Sequence, residues 1–263
     1  MPEEYITMDE LDRILSDSPF EFVDLGLPSG TLWASCNVGA TNPEDAGLFF
    51  AWGETEGYKI TYTTEGNTIT STTIMDADGN VTDRKFIWEY YKWCDGNYNG
   101  LTKYNTDPDR GVVDNLSRLI LADDLVYAVD RNSRMPSVAD FEELIAHTTF
   151  SKVAIGNQGC GKFTAQNGNY IIFPAVGRVI EGLSGPNLWA VYPTGEISDL
   201  NSNDCKLMYF TNTRLPAIDT GGRNVGLPVR AVKNKLYGND DYYYTKEEIN
   251  AKEQEINIIL ESK

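Results

Sequence analysis

Between residues 20 and 233 the apolar positions fall in short runs, either alternating with polar residues or rich in aromatic and β-branched side chains. Residues 170–173, 177–180, 188–192, 207–211 and 228–232 are examples, with Gly, Pro, Asn and Asp between them. A period of two sends successive side chains to opposite faces, so these runs predict short strands joined by turns. Two patches follow a helical period instead. One covers about 115–129. The other follows Ser137, with Phe141, Leu144 and Ile145 as its apolar stripe and Asp140 three residues past the cap, the spacing of a reciprocal N-cap. Residues 58–86 read as an inserted hairpin. A run rich in Thr and Tyr ends there in Asp76-Ala77-Asp78-Gly79-Asn80, and Asp-Gly is a strong tight-turn signal.

The ends of the chain are patterned differently. Over residues 1–19, Thr7-Met8-Asp9-Glu10 has the form of a capping box. Met8, Leu11, Ile14 and Leu15 then share one helical face before Pro19. So short an amphipathic helix needs a surface to pack on. Over residues 237–263, Thr245-Lys246-Glu247-Glu248 is a second capping box. Ile249, Ile256 and Ile259 fall on a and d positions of a heptad that Tyr242 and Thr245 extend backwards and Lys252 interrupts. Isoleucine at both positions favours three or more strands, so the tail predicts self-association, most simply as a trimer. The alternative is a helix folded back on its own domain. The predicted organisation is therefore an acidic N-terminal helix (1–19), one domain (20–236) and a C-terminal helix (237–263).

Charge narrows the partners. The net charge is −17 over 263 residues, which disfavours phosphate backbones and anionic membrane surfaces. Residues 1–24 carry eight acids against the single base Arg13. Such an arm is a solvated surface or a dock for another, basic protein. No run of about 20 apolar residues predicts membrane insertion. The first 20 residues lack the basic start and apolar stretch of a secretion signal, so synthesis without export is expected.

The chain offers little catalytic equipment. Cys36, Cys94, Cys160 and Cys205 form no Cys-x-x-Cys pair, and His147 is the lone imidazole, so neither a metal site nor a cofactor is expected. Asp76, Asp78, Asn80 and Asp83 resemble a calcium loop. However, Gly79 stands at position four and Ile87 at position twelve, where that loop needs Gly at six and Glu at twelve. Asp123-Asp124 and Glu142-Glu143 are sequence neighbours, which point different ways and form no facing dyad. No nucleophile elbow, phosphate loop or zinc-protease motif occurs. The segment 181–227 is different: amides, guanidiniums and aromatics sit on turn-rich sequence. Asn187, Trp189, Tyr192, Asn201, Asn203, Arg214, Arg223 and Asn224 are its candidate ligand-binding residues. The plainer reading is ordinary loops with their aromatics in the core.

Several motifs then occur in a familiar order. They are Val23-Asp24-Leu25-Gly26-Leu27-Pro28-Ser29-Gly30-Thr31-Leu32-Trp33-Ala34, Cys36-Asn37-Val38-Gly39-Ala40, Phe50-Ala51-Trp52-Gly53-Glu54-Thr55 and Tyr91-Lys92-Trp93-Cys94. Leu101-Thr102-Lys103-Tyr104 follows, and Arg134-Met135-Pro136-Ser137 precedes Phe141-Glu142-Glu143-Leu144. Together they resemble the Fibrobacter-type major paralogous domain, found in proteins of Bacteroidota and their phages. The resemblance spans about residues 20–233. It implies an α+β, C-type-lectin-like fold, related in shape to the formylglycine-generating enzyme, with two helices flanking a twisted antiparallel sheet. It does not imply catalysis, because the paired cysteines of the enzyme branch have no counterpart. The calcium-dependent sugar motifs of animal lectins are also missing. The segment 244–252 is similar to segments of phage tail-fibre proteins.

The resulting expectation is a non-enzymatic virion protein of a phage. Its domain would bind a host-surface glycan or protein, the C-terminal helix would join copies, and the N-terminal helix would join other virion proteins. The alternatives are a purely structural decoration protein, a bacterial surface adhesin, or an enzyme of the formylglycine-generating type.

Overall fold

A computed structural model describes residues 18–66, 68–82 and 84–234. The predicted terminal helices, with Ile249, Ile256 and Ile259, lie outside these residues. Sixteen strands form six small antiparallel sheets among the described residues. β2 (Leu32–Asn37) lies between β1 (Phe22–Asp24) and β16 (Arg230–Lys233), so the start and end of the domain are stitched together, with Trp33 opposite both Val23 and Val232. β3 (Phe49–Phe50) pairs with β15 (Leu227–Pro228). β4 (Lys59–Glu65), β5 (Thr68–Met75) and β6 (Val81–Thr82) form a meander. β7 (Thr148–Ile155), β8 (Gln158–Ala165) and β9 (Tyr170–Pro174) form a second. β10 (Arg178–Val179) and β11 (Leu183–Ser184) make a short hairpin. β12 (Trp189–Ile197), β13 (Asp204–Thr211) and β14 (Ala217–Gly222) form a third meander.

The α+β lectin-like expectation is not met. Strand accounts for 41% and helix for 11%, and no sheet among the described residues exceeds three strands. Only two α-helices occur among these residues, α1 (Leu125–Val129) and α2 (Val138–His147). The patch at 115–129 shows why. Its first half is taken up by tertiary hydrogen bonding: Leu119 N donates to Gly195 O at 2.8 Å, Ile197 N donates to Ser117 O at 3.0 Å, and Arg118 bridges to Glu196. Those contacts hold the backbone extended against β12, and tertiary pairing overrides a helical pattern of weak propensity. The α-helix starts only after Asp124, whose carboxylate accepts from Val126 N and Tyr127 N. α2 is decided locally, since Ser137 and Asp140 form the reciprocal capping box. None of these helices is long and apolar enough to cross a membrane.

The main core lies between α2 and the β7–β9 and β12–β14 meanders, where Trp33, Phe141, Phe163, Phe173, Tyr192 and Phe210 are buried together. Their rings meet edge-on or tilted, Phe173 and Tyr192 at 4.7 Å and Trp33 and Phe141 at 5.1 Å, the arrangement that ring quadrupoles favour. Two buried arginines pin neighbouring layers. Arg230 donates to Asn37 Oδ1, Ala34 O and Ile172 O, and its guanidinium lies 4.6 Å from the Phe173 ring. Burial lowers the pKa of Arg230 from its usual value.

Candidate functional site

Arg223, the other buried arginine, organises the region beneath a surface cleft. It is fully buried. Nε donates to the Tyr91 hydroxyl at 3.1 Å, Nη1 to Tyr104 O and Ser202 O at 2.8 Å each, and Nη2 to Lys103 O at 3.0 Å. The guanidinium also lies 4.8 Å from the Trp52 ring. Every acceptor is neutral, so the charge is solvated by carbonyl dipoles and ring faces rather than by a carboxylate. The consequence is positional: residues 91–104 are clamped against the turn at 202 and the turn at 223.

Above this clamp an open cleft of about 450 Å³ is lined by Ile87, Trp88, Tyr98, Arg178, Ile180, Glu181, Asn203, Asp204, Gly222, Asn224 and Val225. Four chain segments build it. The first wall is the Trp88–Tyr90 3₁₀ turn with Tyr98. The second is the β10–β11 hairpin, tied to the body by paired bonds between Val179 and Gly226 at 3.0 Å. Gly226 is required there, because a Cβ would sit 2.8 Å from the Phe86 ring. The other walls are the turn entering β13 and the turn leaving β14, where Asn224 Nδ2 donates to Phe86 O at 3.1 Å.

The polar groups are unevenly satisfied. Asn203 is buried, and its Oδ1 has no hydrogen-bond partner. Arg178 Nε is likewise buried without a partner, and its guanidinium lies 5.3 Å from the Trp189 ring. Burial raises the pKa of the Asp204 carboxyl, against the hydrogen bond it accepts from Asn201 Nδ2 at 3.0 Å. Orphaned buried polar atoms are uncommon in folded proteins. Arg178 and Asn203 both line the cleft, and Trp33 Nε1 in the main core is a third such atom among the described residues.

Of the residues singled out in the sequence, Asn203 and Asn224 line this cleft, and Trp189 backs it through Arg178. The others lie elsewhere. Asn187, at φ +63°, accepts from Gly159 N through Oδ1 and holds a turn. Tyr192 is in the core, donating to Pro174 O at 2.9 Å. Asn201 holds the turn that carries Asn203 and Asp204. Arg214 pairs with Asp219 at the surface. Arg223 is the clamp below. Trp88, Tyr98, Arg178, Glu181 and Asp204 complete the cleft without having been candidates. The aromatic density of residues 86–93 was a visible signal for Trp88, whereas nothing local marks Arg178.

Nothing in the cleft resembles a nucleophile with its base. Burial raises the pKa of the Cys160 thiol to about 11 and of the Cys205 thiol to about 12, and also pushes Cys94 upward. Such thiols stay protonated, and the thiol form is the poor nucleophile. Among the described residues no group of three or more His, Cys, Asp or Glu side chains is placed to hold a metal ion. The Asp76 turn is closed by its own chain: Asp76 accepts from Asp78 N, Asn80 N and Asn80 Nδ2. No family model matches the chain, and neither does any curated protein or solved structure.

Proposed function

We propose that this protein is a non-catalytic recognition module that binds a saccharide in the cleft between Trp88, Arg178 and Asn203. The single observation that carries this reading is the juxtaposition of exposed aromatic surface with unsatisfied amide and guanidinium groups on one open cleft. Sugars present apolar C–H faces and rims of hydroxyls, so aromatic platforms edged by amides, carboxylates and guanidiniums are the matching surface. No cysteine lines the cleft, which fits binding there without a thiol nucleophile. The resemblance to the phage- and Bacteroidota-associated domain family, with the fibre-like segment 244–252, supports placing this binding at a host surface, as an attachment component of a virion. Copies would then be joined through Ile249, Ile256 and Ile259.

The test uses the full chain on immobilised host polysaccharide. The parent is expected to be retained, and Trp88→Ala with Tyr98→Ala is expected to lower retention at least tenfold, measured at a temperature where the double variant, destabilised by the loss of Trp88 from its packing on Tyr91, still unfolds cooperatively. The chain length of the polysaccharide is expected to stay constant. Equal retention of parent and double variant contradicts the site, and shortening of the polysaccharide contradicts the absence of catalysis.

A further inference from the structure

Arg178 stands apart from the other shielded arginines. Arg134 is held by both oxygens of Asp140, at 2.6 and 3.1 Å. Arg223 donates to four oxygens and Arg230 to three. Arg178 is half-buried, yet its Nε has no partner, and no hydrogen bond or ion pair joins its guanidinium to another described residue. Its contact is the face of Trp189. A cation partly removed from water and left without an acceptor is disfavoured unless something else supplies one.

The indole beneath it is held in place. Gly177 N donates to Trp189 O at 2.8 Å, and Trp189 N donates to Gly185 O at 2.9 Å. Gly185 has φ +68°, and a Cβ there would lie 2.3 Å from the indole. The indole therefore has one seat, and the Arg178 guanidinium carbon lies 5.3 Å from its ring centre. On the same cleft, Asn203 Oδ1 is buried without a hydrogen-bond partner. A planar fork of N–H donors on the same cleft as a free amide suits a planar, two-oxygen acceptor.

Resting on the saccharide reading above, we propose that the cleft selects a carboxylated sugar, of the hexuronic acid or similar acidic type, whose carboxylate is gripped by Arg178. Asn203 donates to the same group or to the adjoining hydroxyl. Glu181 and Asp204 accept from hydroxyls further along the cleft. The chain's charge of −17 makes long-range attraction of a polyanion unfavourable, so a preference for acidic sugars has to arise from a local contact.

The experiment is calorimetric titration of the full chain at 0.15 M salt with a panel of galacturonate, mannuronate, guluronate and sialyl oligosaccharides, each beside its carboxyl-reduced counterpart. The parent is expected to bind at least one acidic member tenfold or more tighter than its reduced form. Arg178→Met and Arg178→Gln are expected to bring the two affinities together near the weaker value, with the thermal midpoint within a few degrees of the parent. Equal affinity of the parent for both forms overturns the carboxylate assignment while leaving saccharide binding intact. Retained preference in both variants does the same. Failure of the parent to bind any member of the panel overturns both readings.

Discussion

Arg178 lies with its guanidinium carbon 5.3 Å from the centre of the Trp189 ring, and Trp189 in turn covers Gly185. A change at the glycine therefore acts on a binding group two contacts away. Gly185→Ala places a methyl 2.3 Å from the indole at a left-handed backbone position, so the indole must leave its seat. We expect a loss of about 1–3 kcal/mol in urea unfolding, together with weaker saccharide binding. Trp189→Phe keeps a ring beneath Arg178 and should bind better than Trp189→Ala. Unchanged stability and binding in Gly185→Ala would show that the stack is not what fixes Arg178.

Arg223 carries no counterion, so its removal strands carbonyls rather than a charge. In Arg223→Met the carbonyls of Lys103, Tyr104 and Ser202 lose their donor inside the protein, and stranding a buried acceptor costs about 1–3 kcal/mol. Equilibrium unfolding should show a loss of about 3–5 kcal/mol, the scale for breaking a buried polar network. Arg223→Lys should fall between the two, since one ammonium cannot span four acceptors. A loss below about 1 kcal/mol for Arg223→Met would contradict the clamp.

Asp140 sets a pH window. Burial works to raise its carboxyl, and the Arg134 guanidinium and Ser137 outweigh that, holding it below the usual carboxylate range. The folded value therefore lies below the unfolded value of about 3.9. The stabilisation is complete above that pH and disappears as pH falls through the folded value. Asp140→Asn should be less stable than the parent at pH 7 by roughly 1–3 kcal/mol. The difference should shrink below about pH 4, as read from thermal or urea unfolding across pH 2–7. A difference that stays constant down to pH 2 would contradict the charge-assisted cap.

What the chain reveals locally it reveals well. The Ser137–Asp140 box and the turn closed by Asp76 are both readable from spacing, because each is settled within four residues. The alternating runs mark where strands lie, but not that they divide into six small sheets, which depends on which edges meet. The 115–120 stretch shows the limit: its pattern is helical, and hydrogen bonds to residues 195 and 197 decide against a helix. The cleft is harder still. It draws on residues 87–98, 178–181, 203–204 and 222–225, and the lack of a partner for Arg178 is a property of the assembled molecule. Arg223 and Tyr192 look like surface recognition chemistry in sequence, since nothing local shows that a guanidinium or a phenol is buried.

Ile256→Asn with Ile259→Asn in the full chain places polar groups on two successive core positions of the heptad. Sedimentation equilibrium should show a trimer for the parent and a monomer for the double variant. A parent that is already monomeric would contradict self-association through Ile249, Ile256 and Ile259.

The most direct measurement is a ¹⁵N-indole NMR titration of the full chain with an acidic oligosaccharide. The five tryptophans report separately. Trp88 lines the cleft and Trp189 underlies Arg178, while Trp33 and Trp52 are buried. We predict saturable movement of the Trp88 and Trp189 resonances, with Trp33 and Trp52 unmoved. Resonances that all stay in place, or that move only for tryptophans away from the cleft, would contradict the assignment of this cleft as the binding site.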